Sequence, residues 1–439
     1  MVSRRTFLRT SGLALGAATL GTATACGQGG GSNGVEDDDA PKDMRFAWWG
    51  HEEMNRTTNE AIELYNSRHE NVTITPENAS WDDFWDRMAT QIAGDNGADA
   101  FQMSNQMIVD YAERGALLDL EEFIGDPIEI SDWNADLQDY GVIDGIRAGV
   151  PMSTDAFTIL ADREVIQDLG LELPEGDTWT WDDVSELSNN IREASGEELW
   201  GIKDGSGMYE VFEPWVRGRG LTFFDTGASP TTLGFSKDDL REFWQWWADM
   251  RASGACVPPN VSAEDTGHET SPIITGVAPL YFTTSSELTG VRALTPSQIQ
   301  ALPMPDTEGG SKRANFVRPN LFMSAWAGTA YPMECARFMQ FWVNDPEAVE
   351  VIGNSRGVPP SPSSAELVQE DSGEDGLLTP SEYLALITEI GDPMDALTPR
   401  AGREVYQLLS RTAEELRFEQ TDIPTAVDSF FDQAASLLA

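Results

Sequence analysis

The apolar positions of this chain change period along its length, and each change marks an element. Met44 to Trp49 is a short apolar run that reads as a strand. From Thr57 to Arg68 the apolar residues Ala61, Ile62 and Tyr65 fall on one helical face. Residues 71–77, NVTITPE, alternate with a period of two and predict a second strand. Ser80 is then placed to cap a helix in which Trp81, Phe84, Trp85, Met88 and Ile92 recur at helical spacing. The stretch GDNGADAFQMSN predicts a turn and a third strand, and IVDYAERGALLDL another helix with an exposed acidic end. This β-α-β-α rhythm predicts an α/β fold with a mostly parallel sheet covered by helices. In such sheets ligands sit at the carboxyl ends of the strands, where residues 50–52 and 103–106 lie.

A second α/β region follows GVPMSTDAF. TWTWDDVSELSNNIREASG predicts a helix, and SKDDLREFWQWWADMRASG another, capped near Ser236, with Leu240, Phe243, Trp244 and Trp247 as its buried stripe. Trp246 lies off that stripe and reads as half-buried. YPMECARFMQFWVND is apolar nearly all round, which predicts a well-buried helix. The next helix opens with Asp345 as cap and Pro346 at its first position.

The first residues read as an address. Arg4 and Arg5 precede a small-residue apolar run over 11–25 that is too short to span a bilayer. Ser3 to Leu8 resembles a twin-arginine export signal. Cys26 after Ala23-Thr24-Ala25 resembles a lipobox, in which the cysteine becomes the lipidated N-terminus; the alternative is cleavage before Cys26 without lipidation. Residues 1–25 are thus expected to be a signal peptide, and 26–41, Gly-rich and then acidic, a flexible tether.

Composition narrows the function classes. The chain carries 28 Lys+Arg against 74 Asp+Glu, a formal charge of −46, which becomes about −49 once a signal with three arginines and no acid is removed. Such a field repels nucleic acid. After Cys26 only Cys256 and Cys335 remain, so the chain is no disulfide scaffold; the two read as separate buried thiols, with pairing as the alternative. With three histidines, no HExxH and no CxxC, neither a metal site nor a cofactor motif is expected. A carboxylate pair for glycoside hydrolysis would not stand out among 74 acids.

The segments FAWWGHEEMNRTTNEAIELYN, SWDDFWDRMATQIAGDNGADAFQMSN, DYAERGALLDLEEFI, GVPMSTDAFTILADREVI, ITGVAPLYFTTSSE, ALPMPDTEGG, CARFMQFWVND and NSRGVPPS run in the order and spacing seen in extracellular solute-binding proteins of ABC importers. The chain resembles the sugar-binding family that includes maltose-binding protein, over nearly its whole length after the signal. The resemblance implies no catalysis and a two-lobed, periplasmic-binding-protein-like fold of type II with a ligand cleft at a hinge. Lobe 1 is expected at 42–154 plus 303–330, and lobe 2 at 155–302 plus 331–439. It implies a carbohydrate ligand, most naturally an oligosaccharide, a membrane permease as partner, and a monomer held by its lipid at the outer face of the cell membrane. A secreted carbohydrate-active enzyme and a non-sugar binder on the same fold are the competing readings.

The candidate site residues follow from that resemblance and from sugar chemistry. A pyranose presents apolar C–H faces that an indole covers and a hydroxyl rim that carboxylates and amides bond. Successive strand residues face opposite sides, so Trp48 and Trp49 divide between a buried role and a place beside the cleft, where Trp49 is expected. His51 and Glu52, after the glycine turn, match positions where the family binds hydroxyls. Trp81 reads equally as core or ligand contact. Ser104, Asn105 and Gln106 end a strand and suit hydroxyls, or else cap the next helix. Tyr209, Glu210 and Trp215 match a ligand loop of lobe 2, and Ser285 and Asn320 are further candidates. Asp155 lies where the family's chain crosses between lobes, and is expected to accept from sugar hydroxyls; the alternative is that it braces the hinge. Arg56 and Arg356 read as partners for a uronate carboxylate or as structural ion pairs. At Met103 and Ser286, where relatives often carry aromatics, this chain departs from the family pattern.

Overall fold

A computed structural model describes residues 40–174, 179–368 and 376–439. The expected signal peptide and most of the tether, with Cys26, lie outside the described residues. Eight strands of four or more residues are present among those described: β1 Lys42–Trp49, β2 Val72–Ala79, β3 Ala100–Ser104, β4 Val150–Asp155, β5 Phe157–Asp162, β6 Leu280–Thr284, β7 Ile299–Leu302 and β8 Arg318–Ala325. They form two main sheets, in the orders β2-β1-β3-β8-β4 and β6-β5-β7. In the first, β1 runs parallel to β2 and β3, and β8 runs antiparallel to β3 and β4. In the second, both β6 and β7 run antiparallel to β5. Each sheet centres a lobe, and β4 passes into β5 through the single residue Ala156.

The helices named for the site are α1 Glu52–Arg68, α2 Trp81–Ala93, α3 Trp181–Ala194, α4 Tyr209–Gly218, α5 Lys237–Ser253, α6 Pro332–Asn344, α7 Pro346–Ile352, α8 Gly402–Arg417 and α9 Ile423–Leu438. The caps read at Ser80, Ser236 and Asp345 are formed, and Thr180 adds a fourth. Ser80 Oγ accepts from Asp83 N, Thr180 and Ser236 close capping boxes with Asp183 and Asp239, and Asp345 accepts from Glu347 N and Ala348 N. The stripe of α5 is buried as its period requires, and Trp246 is half-buried against Trp181 and Trp247. The helix after β3 is shorter than its sequence suggests, Ile108–Glu113, because Gly115 turns the chain at φ +67°.

Two lobe boundaries differ from the expectation. Met304, Ala314 and Phe316 pack into the core around β5, so the return crossing falls at Arg318 rather than at 303. Helices α6 and α7 share a core with Phe46, Trp48, Val150 and Met323 of the first sheet, so 331–352 belongs to lobe 1. The apolar girth of α6 is what seats it there. The chain crosses a third time just after α7, where Val358 bridges Thr154. Gly357 permits this crossing: at φ +112°, a side-chain carbon would come within 2.7 Å of Thr154 O. Helices α8 and α9 close the core of lobe 2. Cys256 and Cys335 are free thiols buried in the cores of different lobes, which rules out pairing.

Candidate functional site

The tryptophan pair sits where the first strand of lobe 1 meets the cleft. Trp48 is fully buried under α6, and its indole N–H donates to Asn55 Oδ1 at 2.8 Å. Trp49, on the opposite face, is half-buried and meets Trp81 edge-on at 4.8 Å, with Phe84 and Trp85 behind. Gly50 follows because α1 starts at once: a side-chain carbon there would lie 2.7 Å from Met54 Cβ. His51 and Glu52 are exposed at the start of α1. Trp81 is half-buried, and the guanidinium of Arg403, from α8 of lobe 2, lies 5.5 Å from its ring centre.

The floor of the cleft is built at the crossings. Asp155 ends β4 and pairs in register with Arg318, the first residue of β8. Its Oδ1 accepts from Arg318 Nε at 2.8 Å, while Oδ2 is buried with no partner among the described residues. Arg318, 6% exposed, lies 4.2 Å from the centre of the Phe157 ring and donates from Nη1 to Tyr209 Oη at 3.3 Å. Gln106 of lobe 1 donates to the same hydroxyl at 3.1 Å. Tyr209 in turn stacks on Tyr406 at 4.1 Å. Side chains of both lobes thus converge on one phenol.

Beside this network lies a solvent-open cavity walled by Asn105, Tyr209, Glu213, residues 222–224 and 226, Phe316, Arg318, the segment 394–398 and Tyr406. Burial pushes the carboxyls of Glu210 and Glu213 up, that of Glu213 to about 7, against the pull of Arg318. Arg400 reaches across from lobe 2 to Asp110 and Glu113 at 3.6 and 3.9 Å.

The structure sorts the expected residues. Asn105 and Tyr209 line the cavity, Gln106 and Asp155 bond its wall residues Tyr209 and Arg318, Trp49 and Trp81 pack together at the end of β1, Glu210 is half-buried on α4, and His51 and Glu52 are exposed; Asn320 is half-buried two residues beyond Arg318. Trp215 does not face a ligand: it is 2% exposed, packed edge-on against Trp181 and Phe243. Ser285 is 1% exposed, its hydroxyl accepting from Ala156 N, so it braces the first crossing. Ser104 is buried, and its Oγ accepts from Gln106 N in the turn before the next helix, whose N-cap is Met107 with no side-chain cap bond. Met103 is buried in the lobe 1 core, and Ser286 bonds Thr284. Arg56 pairs with Glu53 and Glu60 on the surface of α1. Arg356 is buried beneath α1, donating to Gln102 Oε1 at 2.9 Å and to Met54 O and Thr58; burial lowers it to about 9, still cationic at neutral pH.

Arg318, Glu213, Tyr406 and Arg403 were not singled out from the sequence. Spacing offers a signal for the first two and none for Tyr406 and Arg403. Arg318 lies two residues before Asn320 in one strand, and Glu213 lies four after Tyr209 on one helix face.

Two α/β lobes, three chain crossings and a polar, aromatic cleft at those crossings define a two-lobed cleft binder. The chain belongs to the bacterial extracellular solute-binding proteins, whose family model matches residues 60–378. Solved structures share the fold at low identity. A periplasmic oligogalacturonide-binding protein of Yersinia enterocolitica, solved with saturated digalacturonic acid, is 20% identical with a TM-score of 0.77, covering 90% of this chain and 98% of that one. An ABC substrate-binding protein of Listeria monocytogenes in complex with cycloalternan is 15% identical at TM-score 0.76, with 90% and 98% covered. A family 1 extracellular solute-binding protein of Alicyclobacillus acidocaldarius is 22% identical at 0.69, with 92% and 100% covered.

Proposed function

We propose that this protein binds an oligosaccharide in its interlobe cleft and delivers it, unaltered, to the permease of an ABC importer. The observation that carries this reading is the meeting of lobe 1 and lobe 2 at Tyr209, whose hydroxyl takes donors from Gln106 and Arg318 beside the unpartnered Oδ2 of Asp155. Those groups suit a hydroxyl rim, and Trp49 and Trp81 offer indole edges and faces to a pyranose. The Yersinia and Listeria structures, which hold saccharides, support the same class of ligand. On this reading the chain leaves the cell by a twin-arginine signal, is lipidated on Cys26, and works as a monomer at the outer face of the membrane. No helix among the described residues is long and apolar enough to cross a membrane.

A panel of neutral and acidic oligosaccharides, peptides and compatible solutes in a thermal-shift assay tests the ligand class. A true ligand at a hundred times its Kd adds about 2.7 kcal/mol. Stabilisation by saccharides, with the saccharide recovered intact after overnight incubation, is expected. Stabilisation confined to peptides or compatible solutes would overturn the carbohydrate assignment, and cleavage products would overturn the carrier assignment.

A further inference from the structure

The charges around the cavity beside Tyr209 do not balance, and the imbalance says what fits there. One cation, Arg318, lines the wall, and Asp155 already pairs with it. Asp395 also lines the wall, but it accepts from Arg217 at 2.6 Å and from Lys312, and neither of those is itself a wall residue. Arg217 is turned away from the space, its other donors on the carbonyls of Arg313, Asp392 and Pro393. Glu213 remains, with no ion pair or hydrogen bond to its carboxyl among the described residues. It stands four residues after Tyr209 on α4 and shares that helix face.

We propose that Glu213 selects the ligand, taking an uncharged, hydroxyl-rich sugar unit at this end of the cleft and turning away a unit that bears a carboxylate. The proposal rests on the carbohydrate reading above and deepens it. The charged and titratable groups facing Glu213 are Glu210 and Arg217 on its own helix, Arg318 on β8, Asp395 in the segment before α8, and Tyr406 on α8. Each basic member of that set has an acid or backbone carbonyls of its own. An ionised Glu213 offers acceptors alone, which match sugar hydroxyl donors. A ligand carboxylate in the same space is a like charge beside the half-buried Glu213 carboxyl. Burial already holds the Glu213 carboxyl up at about 7, so a hydroxyl ligand captures the ionised form and draws a proton off the protein.

Maltotetraose and cellotetraose serve as uncharged probes and tetragalacturonate as the anionic one, titrated calorimetrically into wild type and Glu213→Gln near pH 6 and near pH 8. Only about a tenth of the carboxyls are ionised at the lower pH, so wild-type affinity for an uncharged probe is expected to fall about ten-fold between the two. Glu213→Gln, nearly isosteric, should lose that pH dependence and bind about ten-fold more weakly than wild type near pH 8. Matching circular dichroism of the two proteins controls for folding. Tighter binding of tetragalacturonate than of both uncharged probes near pH 8 overturns the proposal. So does a pH dependence that survives in Glu213→Gln, and in both cases the carbohydrate reading stands. No saturable heat from any saccharide overturns both.

Discussion

Replacing Asp155 with alanine should cost both stability and affinity, and the structure sets the sizes. Arg318 keeps its place at the crossing because Asp155 Oδ1 accepts from Nε at 2.8 Å, and the two side chains are 0% and 7% exposed. Removing the acid strands a buried guanidinium, leaving it Tyr209 Oη at 3.3 Å and the Phe157 ring at 4.2 Å. Breaking a buried pair from one side costs about 3–5 kcal/mol. Over roughly 400 folded residues, at about 2.1 cal/mol/K each, that is a fall of about 4–6 °C in the melting temperature. Asp155→Asn retains an acceptor for Nε and should lose about 1–3 kcal/mol. Asp155→Ala combined with Arg318→Met removes both charges of the pair and should recover much of the loss. Saccharide affinity of Asp155→Ala should fall about ten- to a hundred-fold as well, because Arg318, which lines the cavity, loses the carboxylate that holds it in place. Ligand-free thermal unfolding of the three variants, followed by tryptophan fluorescence, measures the first effect. An Asp155→Ala protein that melts with wild type while Arg318 is present would refute the bracing role.

Three further outcomes are expected. Glu213→Gln should gain stability over wild type as pH rises: the unfolded carboxyl ionises near 4.5 and the folded one near 7, so wild type loses up to about 3 kcal/mol across that interval, none of it below 4.5, and parallel melting curves at pH 5 and pH 8 would contradict this. Cys26→Ser should appear in the medium or stall in processing, and membrane retention with normal processing would exclude the lipid anchor. Saturating saccharide should lower the radius of gyration in small-angle scattering by closing the lobes at the crossings near Ala156, Arg318 and Gly357; an unchanged radius at proven saturation would count against closure.

The periods of the sequence carried the element types well; the expected mostly parallel sheet is wrong, since four of the six pairings in the two main sheets are antiparallel, and the lobe assignment fared less well too. Ser80, Ser236 and Asp345 announced helix starts because a capping side chain acts on its own backbone within three residues. The same locality hides which lobe a helix joins. The apolar girth of α6 demanded burial but named no partner, and only the assembled sheet shows it against Phe46 and Trp48. The site divided likewise. Asp155 was legible from its place in the crossing, whereas Arg318 lies 163 residues away and meets it only through the β4–β8 register. Trp215 misled because an indole suits a core as well as a sugar, and the stripe of α4 decides for the core.

Titration calorimetry with the most stabilising saccharide of the panel asks whether the cleft binds a sugar and leaves it whole. Saturable binding of one saccharide per chain is expected, with a negative heat-capacity change as apolar faces are buried and the ligand recovered intact. Saturable binding to a non-saccharide in the same cleft, with no heat from any sugar, would contradict it.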